Sequence, residues 1–213
     1  AVGVATNGTE RWRVGSDGSI TSVIPGGSTL FPQFVCRAWV NFDGTSQTNF
    51  SGTYSCNGTT TCTASVTGHG LTVGQQIYQT FTGGPLAPFP GVITVASVID
   101  ANTYTFTLGS VQTGTGTVGF AKAPIRASGN VSSVTRNGTG DYTLNFSTAM
   151  PDANYAVTGC GQYDTGNVNE NVPVVGIRRI SGNPATGSVR VTAIVPSTIA
   201  GYDCLQVHVA IFR

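Results

Sequence analysis

APIRASGNVSSVTRNGTGDYTLNFSTAMPDANYAVTG, residues 123–159, reads as two antiparallel strands and the start of a third. Asn130 to Thr135 runs up, Asn137-Gly138-Thr139-Gly140 turns, and Asp141 to Ser147 runs down. Tyr142, Leu144 and Phe146 alternate with Asp141, Thr143 and Asn145. Period-2 alternation around an Asn-Gly turn is a strong short-range hairpin signal. Met150-Pro151-Asp152 then ends the strand, because proline has no N–H to give a ladder.

The rest of the chain has the same character. Its 213 residues allow one or two domains. Charged residues are 9% of the sequence, against about 25% in an average domain. Gly, Thr, Val and Ser dominate, no window keeps a helical period, and short β-branched runs recur between Gly, Asn and Pro. The formal net charge is +1 with one lysine, Lys122, and no basic cluster. Nucleic-acid binding needs clustered cations that displace counterions, so that class is set aside. No apolar run reaches the roughly 18 residues of a membrane helix. The chain starts at Ala1 and is read as a C-terminal piece or a processed form.

From the N-terminus, Glu10 to Val14 and Ile20 to Ile24 predict a small hairpin over Asp17-Gly18, with Pro25 to Ser28 as a hinge. Cys36 to Phe42 predicts a strand with Cys36, Ala38, Val40 and Phe42 on one face. Trp39 sits beside Arg37 and Asn41 on the other, which reads as a contact surface. Between Thr48 and Thr117 the order is strand, His-Gly-Leu turn, strand, loop, strand, Asp-Ala-Asn turn, strand. Tyr104, Phe106 and Leu108 are expected opposite Ile93, Val95, Ser97 and Ile99. The last strand should turn Leu205, Val207, Val209 and Ile211 inward, and Cys204, Gln206, His208, Ala210 and Phe212 the other way.

Two motifs carry a resemblance. Arg37-Ala38-Trp39-Val40-Asn41-Phe42-Asp43-Gly44-Thr45 and Ile125 to Val157 resemble consecutive parts of the C-terminal region of tailed-bacteriophage tail fibre and receptor-binding proteins. The segment between them, with His69-Gly70-Leu71 and a Val-Ile-Asp-Ala-Asn-Thr hairpin, resembles a small β module that recurs in phage structural proteins. The resemblance implies an insertion after Asn41-Phe42-Asp43-Gly44, at an exposed loop tip where few contacts are disturbed. The expected fold is all-β. An antiparallel β-sandwich spans 31–47 and 118–213, a second small β domain spans 48–117, and residues 1–30 are a hairpin connector. The resemblance also implies a homotrimer in the virion, assembled in the host cytoplasm and joined to the rest of the fibre through its N-terminal side.

Chemistry-bearing residues are few. Cys56 and Cys62 flank Asn57-Gly58-Thr59-Thr60-Thr61 and would face each other across a hairpin, as a disulfide or as two small buried hydrophobes. Cys160 and Cys204 are open to the same two readings. His69 reads as a turn residue rather than a base or ligand. His208 lies mid-strand, where a three-fold axis would make it an ion site. No metal or cofactor is expected: there is no C-x-x-C, no Gly-rich phosphate loop and no nucleophile elbow. Polysaccharide hydrolysis uses two carboxylates about 5–10 Å apart. Asp164 and Glu170, in one polar loop, are the one plausible pair.

The loop Gly83 to Gly91 holds three prolines, and its Leu86 and Phe89 have no evident strand partners. A pre-ordered apolar loop binds with a small ordering cost. Leu86, Phe89 and Tyr78 are therefore the expected contacts for a bacterial surface receptor, including a glycan, with Tyr163 and Asp164 second. The expected role is non-enzymatic host adhesion by the distal part of a fibre. The alternatives are a baseplate or capsid-decoration protein, and a depolymerase.

Overall fold

A computed structural model describes residues 2–6, 9–14, 20–22, 36–162, 173–178 and 183–213, and every regular element in it is a strand. Strands β1 (Val2–Thr6), β2 (Thr9–Val14) and β3 (Ile20–Ser22) form a separate antiparallel sheet. β2 and β3 are the anticipated hairpin, with Val14 paired to Ile20, while β1 is an additional strand. The Asp17-Gly18 turn and the 25–28 hinge lie outside the described residues.

The other thirteen strands make one antiparallel sheet. They are β4 (Cys36–Phe42), β5 (Thr48–Ser65), β6 (Gln76–Thr82), β7 (Gly91–Asp100), β8 (Thr103–Ala123), β9 (Ile125–Gly129) and β10 (Val131–Gly138). Then come β11 (Asp141–Phe146), β12 (Ala156–Gly161), β13 (Val174–Ile177), β14 (Ser188–Val195), β15 (Ala200–Gly201) and β16 (Val207–Phe212). The path runs β8–β10–β11–β14–β13–β12–β16–β4–β9. β13 is the corner, pairing with β14 on one edge and β12 on the other. The sheet thereby folds over one core. Val134, Tyr142, Leu144, Val189 and Val191 come from one side, and Ala38, Val40, Phe42, Val207, Val209 and Ile211 from the other.

The β10–β11 hairpin matches its sequence pattern, with Val134 opposite Leu144 and Arg136 opposite Tyr142. Its Gly140 has a positive φ of 63°. A Cβ there would lie 2.4 Å from the carbonyl oxygen of Ala193, so the turn closes on β14 only with glycine. The polar face of β11 is buried as well. Asp141 accepts both Nε and Nη2 of Arg190 at 2.7 Å, and Thr143 accepts Asn137 Nδ2 at 3.0 Å.

A second core gathers Tyr54, Cys56, Cys62, Ile77, Phe81, Leu86, Tyr104, Phe106, Val118, Phe120 and neighbours. Its frame is the β5–β8 ribbon, folded back on itself. Six steps of straight strand would cover about 20 Å, yet the Cα atoms of Cys56 and Cys62 are 4.4 Å apart and their sulfurs are bonded. The register jumps from Thr61–Thr107 to Thr59–Gln112 at the same place. Where the two arms of β5 cross, a Cβ on Gly52 would sit 1.9 Å from the Ser65 carbonyl oxygen. Only glycine permits that approach.

Three expectations about facing are corrected. Bulges at Val95/Ser97 and Val98/Asp100 shift the alternation of β7, so Val98 packs on the core and Ile99 is 61% exposed. Cys204 precedes β16 and escapes its alternation. It is fully buried, with its Sγ 2.5 Å from where a Gly161 Cβ would be. Cys36 lies beyond a bulge in the β4–β16 pairing and is exposed rather than inward.

The two cores meet through polar groups. Gln76 N–H donates to Asn145 Oδ1 (2.8 Å), and its carbonyl accepts Asn145 Nδ2 (3.0 Å) and Thr135 Oγ1 (3.1 Å). Ser188 Oγ donates to Gln76 Oε1 at 3.0 Å, and Gln75 Nε2 donates to Ser133 Oγ at 2.6 Å. β8 also crosses between them, pairing Ala121–Ala123 with Arg136–Val134.

Candidate functional site

The proline loop is built from inside outward. Gly83 and Gly84 adopt positive φ, and a Cβ on Gly84 would lie 2.1 Å from the Thr115 carbonyl oxygen. The Tyr54 hydroxyl donates to Gly83 O and accepts the Leu86 N–H, both at 3.0 Å. Phe89 N–H then closes a turn on Leu86 O at 2.8 Å. Leu86 is 2% exposed, so its expected role as a surface contact is corrected. Without a strand partner it fills the second core instead, where burial is worth about 1.5–3 kcal/mol. Phe89 is 65% exposed, on a turn held at both ends.

Tyr78 does not join this loop. It pairs with Val92 and lines a separate cleft of about 370 Å³ with Gln47, Asn49, Thr80, Arg136 and Asn137. Both described bonds of Arg136 leave from Nη2, to Asp203 and Thr139. Tyr163 and Asp164, the second expected contacts, lie outside the described residues, as does Glu170.

His69 is a buried turn residue. Its Nδ1 accepts the Leu71 N–H at 2.9 Å, its Nε2 lies 3.1 Å from the Asp100 carbonyl, and its ring meets Tyr104 edge-on. That pairing fits the tautomer with the proton on Nε2. Lys122 closes the corner, donating to the carbonyls of His69 (2.9 Å) and Gly70 (2.8 Å) beneath the Phe50 ring. Burial pushes its ammonium down to about 8 despite these contacts. Cys160 and Cys204 are free thiols, and burial, with Asp203 and Cys160 nearby, pushes Cys204 up to about 11.

The described aspartates are tied into the fold. Asp43 pairs with Arg126, Asp141 with Arg190 and Arg178, Asp152 with Arg213, and Asp203 with Arg136. Asp100 accepts the Asn102 N–H in a turn. Burial opposes ionisation of Asp43, but the Thr45 hydroxyl, two backbone N–H groups and Arg126 hold its carboxyl below the usual range.

The outward face of β9, β4, β16 and β12 forms an open trough of about 540 Å³. The sequence marks its Trp39 and Asn41 but not the cross-strand rows around them. One row is Gly129, Trp39, Ala210 and Thr158, and the next is Ala127, Asn41, His208 and Cys160. Trp39 is 44% exposed, and its Nε1 lies 2.4 Å from where a Gly129 Cβ would be. The indole therefore lies on Gly129. The Oδ1 of Asn41 is buried with no donor among the described residues.

No protein-family model matches this sequence, and no characterised protein matches it either.

Proposed function

We propose that this chain is the distal, homotrimeric part of a tailed-phage fibre that binds a host-surface receptor without enzymatic turnover. The sequence resemblance supports it, as does an all-β architecture with few charges. The single observation that carries it is the placement of Phe89. It stands 65% exposed at the head of a loop anchored by Leu86 and Tyr54. A rigid exposed aromatic loses little freedom on binding. Three weak sites per trimer, with several fibres per particle, gain avidity through effective concentration. The adhesive role, rather than a hydrolytic one, is supported by the engagement of each described aspartate in an ion pair or turn.

The test is adsorption of labelled protein to a panel of bacterial strains. Phe89→Ala should lower labelling of the recognised strain at least tenfold, with the unfolding midpoint unchanged. Labelling equal to the parent's would remove the loop from the reading.

A further inference from the structure

We infer that the trough on β9, β4, β16 and β12 is a second binding site, one for a neutral saccharide. Three observations converge on it. The first is the Trp39 platform. Its indole rests on the bare backbone of Gly129, so one ring face is supported and the other looks outward. A sugar presents a C–H face that packs on such a ring, and small neighbours at Ala127, Ala210 and Gly159 leave the room. The volume of about 540 Å³ lies within the roughly 300–1,000 Å³ of small-molecule pockets.

The second is the Asn41 carboxamide. Buried polar atoms almost always have a partner, and its Oδ1 has none among the described residues. The oxygen is closed to solvent in this rotamer, so the amide must turn toward the trough for a sugar to reach it; two neighbouring hydroxyls can then donate to its oxygen and accept from its nitrogen. The Thr158 hydroxyl and the His208 ring stand in the two flanking positions of the same rows and extend the polar line.

The third is charge. Among the described residues, no Asp, Glu, Lys or Arg lines the trough. An ionic sugar would lose water there without meeting an opposite charge. Trp39 is also the sole large ring in it among the described residues, too little for the apolar core of a stable subunit interface. The site stands apart from the Phe89 loop, so either can fail alone.

The test is an array of neutral gluco-, galacto-, manno- and N-acetylhexosamine oligomers, followed by calorimetric titration of the best binder, a readout that survives loss of the Trp39 ring. Binding should weaken at least tenfold in Trp39→Ala, about fivefold in Asn41→Ala, and only slightly in Trp39→Phe. Phe89→Ala should leave it unchanged. In a Cys36→Ser background, maleimide labelling of the exposed Cys160 at the trough's edge should block binding while circular dichroism stays native. The inference fails if no neutral oligosaccharide on the array binds, or if Trp39→Ala binds as the parent does. It fails too if Trp39→Ala turns a trimer into monomers and glycan binding is absent throughout, which would make this face a subunit contact.

Discussion

The Tyr142 hydroxyl donates to Asp203 Oδ1 at 2.5 Å across 61 residues of sequence. The same carboxylate accepts the Gly140 N–H at 2.8 Å and pairs with Arg136 at 2.5 Å. One side chain thus pins both ends of the β10–β11 turn to the approach to β16. Hydrogen bonds to a charged group are worth about 1.5–3 kcal/mol. Tyr142→Phe should cost about that much in urea unfolding, with the slope unchanged. A loss below about 0.5 kcal/mol would mean the carboxylate finds another donor.

Gly52 is the crossing point of the two β5 arms. An alanine methyl cannot occupy a position 1.9 Å from the Ser65 carbonyl oxygen, so the arms must part. Overpacking typically costs about 1–3 kcal/mol. Gly52→Ala should reach at least the upper end of that range, whereas Gly176→Ala, where a Cβ meets nothing, should not. Thermal unfolding of the two variants side by side decides this.

The Cys56–Cys62 bond closes a short loop with a sequence separation of 6. Loop-closure entropy for so small a ring is about 2 kcal/mol. In a chain of this length that corresponds to about 4–8 °C in Tm. Reduction, or the Cys56→Ala/Cys62→Ala pair, should lower Tm by that amount while preserving the far-ultraviolet spectrum. Loss of the strand signal would mean the bond is required for folding.

Alkaline stability should pass through a maximum. Lys122 falls from 10.5 to about 8 on folding, so the unfolded chain holds the extra proton between those values and stability rises with pH above 8. Cys204 moves the other way, from 9.0 to about 11, so its contribution is lost as pH climbs past 9. Tyr155, raised from 10.0 to about 12 by burial, subtracts further above 10, and Tyr104 and Tyr142 are also raised. The sum rises from about pH 8, peaks at about pH 9 and declines beyond about pH 10. Tm measured across the alkaline range checks the shape. Lys122→Met should abolish the rise and keep the decline.

The hairpin at 131–146 was legible because alternation, turn chemistry and burial agree there. Leu86 and Phe89 look alike in sequence, as apolar residues between prolines. What separates them is the Tyr54 hydroxyl, 32 residues before Leu86, which draws one into the core and leaves the other out. The facing of Ile99 depended on a bulge, which has no residue code of its own. Asp141 reads as a turn acid, yet its partners Arg178 and Arg190 lie on or beside strands distant in sequence. The trough was half legible: Trp39 and Asn41 mark it, but their neighbours on β16 and β12 are set by register.

Residues 48–122 leave and rejoin the rest of the sheet at neighbouring points. Thr48 and Lys122 are cross-strand partners, and Asp43 N–H already donates to the Pro124 carbonyl at 3.0 Å. The two ends to be rejoined after an excision are therefore neighbours. The surface uncovered would be Ser133, Thr135, Asn145 and Ser188, hydroxyls and an amide that water can solvate. In exchange terms the segment behaves as a cartridge. A chain without residues 45–122 would need only a short turn between Gly44 and Ala123, and would give up the pairing of Ala121 and Lys122 with Arg136 and Thr135.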